Sequence, residues 1–359
     1  MALPPVSVIV PVGRRMGSLP DLVEAVIGLD YPLLELLLCC EKGIDLQEEV
    51  KTQASGTKRI RIIMVDASGP SGLRNAGVRA SRYELLAFTD SDCTPGPEWL
   101  KELLRAKEKL RTRAVVGSSF SANYSRSRWS RVSAERYSAW LDGAKEGDYL
   151  QRLDTRNLLM EKALLTALGA FDEGLCSKED RDLGHRLVQA GERIAFAPEA
   201  RVGHRDPETI RGVYRRSVWY ARGMRQFLTK HGVGWFMRSR DLVFYKRYVG
   251  ESLWALVALI WYGALFAIIA SGLDLRLPVP ISLLGLAGLP IALLAFGSAA
   301  KSAGKFLMGR SSADDFVFDI VSDIGHKVGF ISAATGIWRP RGGKKRAMRS
   351  SRRERQGSR

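Results

Sequence analysis

Two periods of hydrophobic and polar positions alternate along the first two-thirds of the chain. Residues 6–12, Val-Ser-Val-Ile-Val-Pro-Val, are β-branched and almost continuously apolar, the pattern of a strand buried on both faces. Residues 33–40, 60–65 and 85–89 repeat it, and 114–117 read as a fifth strand. Helical spacing falls between or after these runs, over 21–29, 72–80 and 99–111. Strands alternating with helices at such intervals predict βαβ units, hence an α/β fold with a mostly parallel sheet flanked by helices. The pattern loosens over 118–152, which is rich in Ser, Arg and aromatic residues. It returns as helices at 161–168 and 179–190, with Gly169 and Gly191 placed to cap their C-termini.

Further along, residues 253–273 and 277–300 contain no charge over 21 and 24 positions. At about 1.5 Å per helical residue each reaches roughly 30 Å or more, enough to cross a bilayer core. A transmembrane hairpin over 253–300 is therefore expected. Beyond it, Asp315, Asp319, Ser322, Asp323 and His326 recur opposite Phe316, Ile320, Val321, Ile324, Val328 and Ile331. This predicts an amphipathic helix within 301–338 that lies on the membrane surface.

Charge sharpens the picture. The net charge is +17, which by itself invites a nucleic-acid reading. Residues 201–250 hold 12 Lys/Arg against 3 Asp/Glu, and residues 339–359 hold 10 against 1. These two blocks carry +9 each and flank the hairpin, so the remainder sums to −1. The basic segment 236–252 and the basic tail 339–359 then read as contacts to anionic lipid, and nucleic acid is not expected as a partner. The turn between the two apolar runs has one cation, Arg276, whereas both outer flanks are densely basic. The positive-inside rule places residues 1–235 and the tail in the cytoplasm, anchored at the inner or plasma membrane. The N-terminus lacks the basic start of a cleavable signal, and Cys39, Cys40, Cys93 and Cys176 form no CxxC pair, which fits a reducing compartment.

In a parallel α/β sheet, ligands bind beyond the carboxyl ends of the strands, and carboxylates concentrate there in this sequence. Asp90-Ser91-Asp92 directly follows the fourth strand. Two acids at i and i+2 of an extended segment point the same way and are able to share one hard divalent cation. An isolated Asp-x-Asp is as readily a turn; its place at a strand end favours the cation. Glu179 and Asp180 open a helix, where acids also serve simply to stabilise the N-terminus. His204 follows the strand-like 193–197, and Asp66 ends the third strand, where a plain turn residue is equally at home.

The surrounding residues resemble the inverting family 2 glycosyltransferases of GT-A fold. The matching stretches are Val6-Ser-Val-Ile-Val-Pro11, Tyr31-Pro32 with Glu35, Gly72-Leu-Arg-Asn-Ala-Gly77, and Leu86-Ala-Phe-Thr-Asp-Ser-Asp92 with Pro95 and Trp99-Leu100. Gly169-Ala-Phe-Asp-Glu173 and Glu179-Asp180 with Asp182-Leu183 complete a set that runs in order over about residues 5–230. The resemblance implies a nucleotide-sugar donor, with UDP the first expectation. Asp90 would contact its ribose, and Asp90, Asp92 and His204 would hold Mn²⁺ or Mg²⁺ against its diphosphate. Pro11, Glu41, Asp66, Arg74 and Asn75 fall on the nucleotide side, with Gly77 permitting close backbone approach. Glu41 stands where the family often has an aspartate, which leaves the base open. Asp180 becomes the general base, with Glu179 orienting it or the acceptor. Trp219, Arg216 and Arg222 occupy the place of a basic aromatic motif near the acceptor. The Gln-x-x-Arg-Trp form of processive synthases is absent, so transfer of one or a few sugars is expected.

The acceptor implied is a hydroxyl on a glycan or lipid-linked molecule close to the membrane. Transfer to a polyprenyl phosphate is the alternative, although an ionised phosphate needs no general base and Glu179-Asp180 argues against it. A non-catalytic membrane protein that binds nucleotide sugars or polyanions is the rival from another class. It predicts binding without turnover.

Overall fold

A computed structural model describes residues 3–14, 18–67, 69–124, 126–141, 149–150, 152–232 and 313–334. The expected hairpin at 253–300, the basic segment 236–252 and the tail 339–359 lie outside the described residues. Among those described, no helix is long and apolar enough to cross a membrane. Internal contacts divide the chain into two units, Met1–Glu208 with Trp338–Arg359, and Thr209–Ile337.

The first unit is built on one nine-stranded sheet with helices on both faces. Strands β1 (Val6–Val12), β2 (Leu34–Glu41), β3 (Ile60–Val65) and β4 (Leu85–Phe88) pair in parallel in the order β3-β2-β1-β4. Every residue of β1 is buried, because Val6, Val8, Val10 and Val12 face α1 (Leu19–Ile27) and α4 (Trp99–Leu110) while Ile9 faces α3 (Pro70–Ala80). Fully burying each such side chain contributes about 1.5–3 kcal/mol, which is why the run tolerates almost no polar residue. Ser7 is the exception, and its hydroxyl donates to buried Glu35 at 2.7 Å. Glu35 also accepts from the Arg82 amide at 2.7 Å and from Arg61 at 2.8 Å. Burial alone would raise its carboxyl; those three donors more than offset this and hold it below the usual value.

Gly77 lies on α3 where a Cβ would come within 2.5 Å of Ile9 Cγ2 and 2.8 Å of Cys39 Sγ. The close approach that this glycine allows is therefore between helix and sheet. Cys39 and Cys40 point to opposite faces of β2, and both are free thiols. Burial pushes Cys39 up to about 12 and Cys40 to about 11.

The other half of the sheet is mixed. Continuing the order come β8 (Leu158–Glu161), β6 (Ala114–Ser121), β9 (Ile194–His204) and β5 (Cys93–Pro95), with β7 (Tyr149–Leu150) also on β9. Only β6–β9 is parallel here; β4–β8, β6–β8, β5–β9 and β7–β9 run antiparallel. β8 escaped the sequence pattern because Leu158, Leu159 and Met160 run straight into α6 (Lys162–Ala167), and a short apolar run before a helix looks like the helix's own first turn. Helix α5 (Arg128–Leu141) fills part of the stretch that had seemed irregular. Helices α6 and α7 (Glu179–Gln189) cover the face that α3 covers, whereas α2 (Glu48–Ser55) joins α1 and α4.

The second unit contains α8 (Ile210–His231) and α9 (Ala313–Ala334) packed together. The face of α9 that meets α8 is mixed in polarity. Phe318 and Asp319 are buried, whereas Val317, Ile324 and Val328 are exposed. Glycines set the contact face: a Cβ on Gly329 would lie 2.3 Å from the Val218 carbonyl, and one on Gly325 would lie 2.9 Å from the Tyr214 carbonyl. Two glycines four residues apart let the helix backbones meet, and the polar Ser322 comes with them to 3.0 Å from Ser217.

Candidate active site

Pro11, Glu41 and Asp66 mark the carboxyl ends of β1, β2 and β3, and Asp90 follows β4 two residues after Phe88. Asp66 is exposed there and Pro11 is buried opposite Cys39. The sheet thus brings the nucleotide-side candidates to one edge, the edge where parallel strands leave open backbone.

Asp90 and Asp92 diverge in what they touch. The Arg74 guanidinium, projecting from α3, donates through Nη2 to Asp90 Oδ1 at 2.6 Å and through Nη1 to Glu179 Oε1 at 2.7 Å. Its side chain is 3% exposed. Burial opposes the Arg74 charge, and the two carboxylates more than offset that, so its pKa lies above the ordinary arginine value. Glu179 shows the converse: burial raises its carboxyl, and Arg74 draws it back only in part. Asn75, the next residue, is engaged internally. Its amide donates to Phe171 O at 2.8 Å and Glu173 at 3.0 Å, and its oxygen accepts from Phe171 N at 3.0 Å. These bonds fasten the turn Gly169–Glu173, where Gly169 and Ala170 hold φ of 82° and 57°. Arg186 secures the same turn through the Ala170 carbonyl at 2.7 Å, and is itself fixed by fully buried Asp182.

Asp92 instead faces β9. Cys93 pairs with His204 across β5 and β9, and His204 Nε2 lies 3.7 Å from Asp92 Oδ2. On its other side, His204 Nδ1 lies 3.6 Å from Asp206 Oδ1. Asp206 is buried and held by Asn123, which accepts from its amide and donates to its carbonyl, both at 2.9 Å. Sequence reasoning missed Asp206; the available signal was its place two residues after the histidine, close enough to back an imidazole.

Does this arrangement fit a divalent cation? An imidazole nitrogen at the end of β9 and a half-exposed carboxylate just before β5, 3.7 Å apart, are a suitable donor pair, and a carboxylate behind the imidazole is the usual support for a ligating histidine. The third expected donor, Asp90, has one oxygen on Arg74, and among the described residues no three His, Cys, Asp or Glu side chains converge as a set. The residues fit as a two-donor half-site.

Asp180 follows Glu179 in the first turn of α7, half-buried, with Oδ1 accepting from the Arg181 amide at 2.7 Å. The helix starts on Lys178, held in the left-handed region at φ 69°. A cavity of about 340 Å³ beside Leu85 and Glu161 lies at the opposite ends of the strands, away from all these groups. Trp219, Arg216 and Arg222 are on α8 in the second unit. Trp219 is 40% exposed with its ring 5.3 Å from that of Tyr220, and Arg222 Nε donates to Ser332 of α9 at 3.2 Å.

A mixed α/β sheet with acid pairs at its carboxyl edge defines the GT-A class of fold. The mannosyltransferase PcManGT from Pyrobaculum calidifontis, solved in complex with GDP-Man and Mn²⁺, shares that fold at a TM-score of 0.57 and 17% identity, over 90% of this chain and 87% of that one. The profile of the glycosyltransferase like family 2 matches residues 4–222. The chain belongs to this family. Among curated relatives, the pre-mycofactocin glycosyltransferase of Mycobacterium tuberculosis is 26% identical over 232 residues, 63% of this chain and 48% of that protein. The glucosyl-dolichyl phosphate glucuronosyltransferase of Haloferax volcanii is 22% identical over 207 residues, 54% and 66% of the two chains. The chain thus spans about half the length of the first of these relatives.

Proposed function

We propose that this chain is an inverting glycosyltransferase that moves a sugar from a nucleotide-sugar donor to a hydroxyl of a lipid-linked or membrane-proximal glycan. The observation that carries the reading is the convergence, at one sheet edge, of the Asp92–His204 pair with a second acid pair, Glu179-Asp180, tied to Asp90 through Arg74.

Asp92 and His204 would hold Mn²⁺ or Mg²⁺, which when bound supplies positive charge against the departing diphosphate. Asp180 takes the proton from the acceptor hydroxyl as its oxygen attacks the anomeric carbon; the new C–O bond forms while the bond from that carbon to the phosphate oxygen breaks in line behind it. The nucleoside diphosphate leaves with the electron pair. Pro11, Glu41 and Asp66 line the edge on which the nucleoside would rest. The acceptor class is supported by the family, by the lipid-linked acceptor in the name of the Haloferax relative, and by the two charge-free runs at 253–273 and 277–300, long enough to hold the active domain at a cytoplasmic membrane face. Trp219 and Arg216 remain candidates for the acceptor side.

The test is to incubate membranes containing the full chain with a panel of UDP-, GDP- and dTDP-sugars plus Mn²⁺, measuring nucleoside diphosphate release and the mass of lipid-extractable product. One donor should give a product one or a few sugars heavier. Binding without release across the panel would instead support the non-catalytic reading, and Asp180→Asn turning over normally would point to a phosphate acceptor.

A further inference from the structure

The Arg74 side chain touches both acid pairs. Its two contacts reach 16 residues forward to Asp90 and 105 residues forward to Glu179, closing a charged triad across the sheet edge. At 3% exposure, with both terminal nitrogens donating at 2.6 and 2.7 Å, the guanidinium is committed to these two carboxylates. Its Nε is buried without a hydrogen-bond partner, and the Phe171 ring lies 5.7 Å from its Cζ. Phe171 belongs to the turn that Asn75 and Arg186 fasten, so the arginine is walled in by elements that are themselves pinned.

The planarity of the group gives the triad its meaning. A guanidinium offers its donors in a rigid fork, so two carboxylates bound to separate nitrogens are fixed in distance and angle relative to each other, which an ammonium on a flexible stem does not achieve. We propose that Arg74 is a positioning residue that couples the donor side of the site to the acceptor side, setting Asp90 and, through Glu179, the neighbouring base Asp180 as one unit. Asp180 is covalently next to Glu179 at the first turn of α7, so fixing Glu179 fixes where that turn begins. Misplacing a reacting group by about 1 Å is enough to cost on the order of 10²-fold in rate.

This rests on the transferase reading, and the experiment separates the two. In the full chain, kcat, donor KM and melting temperature are measured for Arg74→Lys, Glu179→Gln and the double variant. Arg74→Lys keeps the charge and should lower kcat about 10²-fold. Because Glu179 acts through Arg74, the double variant should fall no more than about threefold below the worse single one. Losses that multiply, or an Arg74→Lys enzyme within about threefold of wild-type kcat, would overturn the coupling. If Arg74→Lys does not fold, Arg74→Met with Glu179→Met removes the pair together, a replacement that cores often accept. A folded protein with wild-type kcat then overturns it, and a folded protein with depressed kcat supports it. Should wild-type protein turn over none of the donors, the transferase reading fails first and the coupling is read on UDP and GDP affinity. Glu179→Gln should then weaken nucleotide binding about threefold or more although Glu179 lies on the acceptor side, and unchanged affinity overturns the proposal.

Discussion

The two halves of the sheet reach the same edge by different means. In the parallel half, β3-β2-β1-β4, strands are near-continuous apolar runs and the polar groups are few, as in the Ser7–Glu35–Arg61 cluster. In the mixed half, β8-β6-β9-β5, strands are tied together by a buried amide: Asn157 donates to the Ser118 and Ala200 carbonyls at 2.7 Å each and accepts from the Trp99 indole at 2.8 Å. Asp90 belongs to the first half through Arg74 on α3, and Asp92 to the second through His204 on β9. The Asp-Ser-Asp segment is therefore a seam: one carboxylate is fixed by a helix packed on hydrophobic strands, and the other depends on a ladder that polar side chains keep in register.

This contrast is open to test, and the largest effect is expected at the seam itself. Asp92→Ala should lower kcat by about 10³-fold or more. Since the Asp92 side chain is 48% exposed, its melting temperature should stay near wild type, a stability change within about 0.5 kcal/mol. A variant with full turnover sinks the site assignment. Asn157→Ala attacks the fold of the mixed half and should cost about 3 kcal/mol in chemical denaturation, since it strands two carbonyls and an indole N–H. A cost below about 1 kcal/mol would mean the amide ladder is not what holds that half. Asp206→Asn should weaken Mn²⁺ binding about 10- to 100-fold, measured by electron paramagnetic resonance, with the fold intact. Undiminished affinity would remove Asp206 from behind the histidine.

The smallest effect lies in the parallel half. Glu35 has its carboxyl held below the usual value of 4.5, so its contribution is present above that pH and lost as pH falls through the lowered value. Glu35→Gln should cost about 1 kcal/mol at pH 7 and flatten the acid limb of the stability curve below about pH 4.5. An unchanged acid limb would show that Glu35 does not carry it.

The same division explains what was legible in the chain. Strands β1 to β4 and helices α3, α4 and α7 were visible because burial on both faces, or on one helical stripe, leaves an unbroken apolar signature. The edge residues Asp90, Asp92, Glu179 and Asp180 came with them, since a carboxylate just past a strand or at a helix start is conspicuous. Partners were not legible. Nothing in the spacing of Arg74 announces that it reaches Glu179, and Asn75 gave no sign that its amide serves the Phe171 turn, because these contacts span 105 and 96 residues. The face of α9 that meets α8 was not legible for a different reason. Glycines carry no weight in a hydrophobic count, yet Gly325 and Gly329 decide which side meets α8.

One irregularity bears on how the histidine is delivered. Between Gly117 and Ser118 the β6–β9 register jumps, with Gly117 opposite Ala197 and Ser118 opposite Arg201. Residues 198–200 are looped out and stitched down, Ser118 Oγ donating to the Pro198 carbonyl at 2.6 Å and Asn157 to the Ala200 carbonyl. Counted straight through, Ser121 would meet Arg201; with the loop it meets His204. The register jump thus selects what stands beside Asp92. Excising those three residues would keep Ser121 opposite His204 in an unbulged ladder, whereas retaining them without the jump would present a guanidinium in place of an imidazole, so the slack in this strand governs the chemistry of the edge.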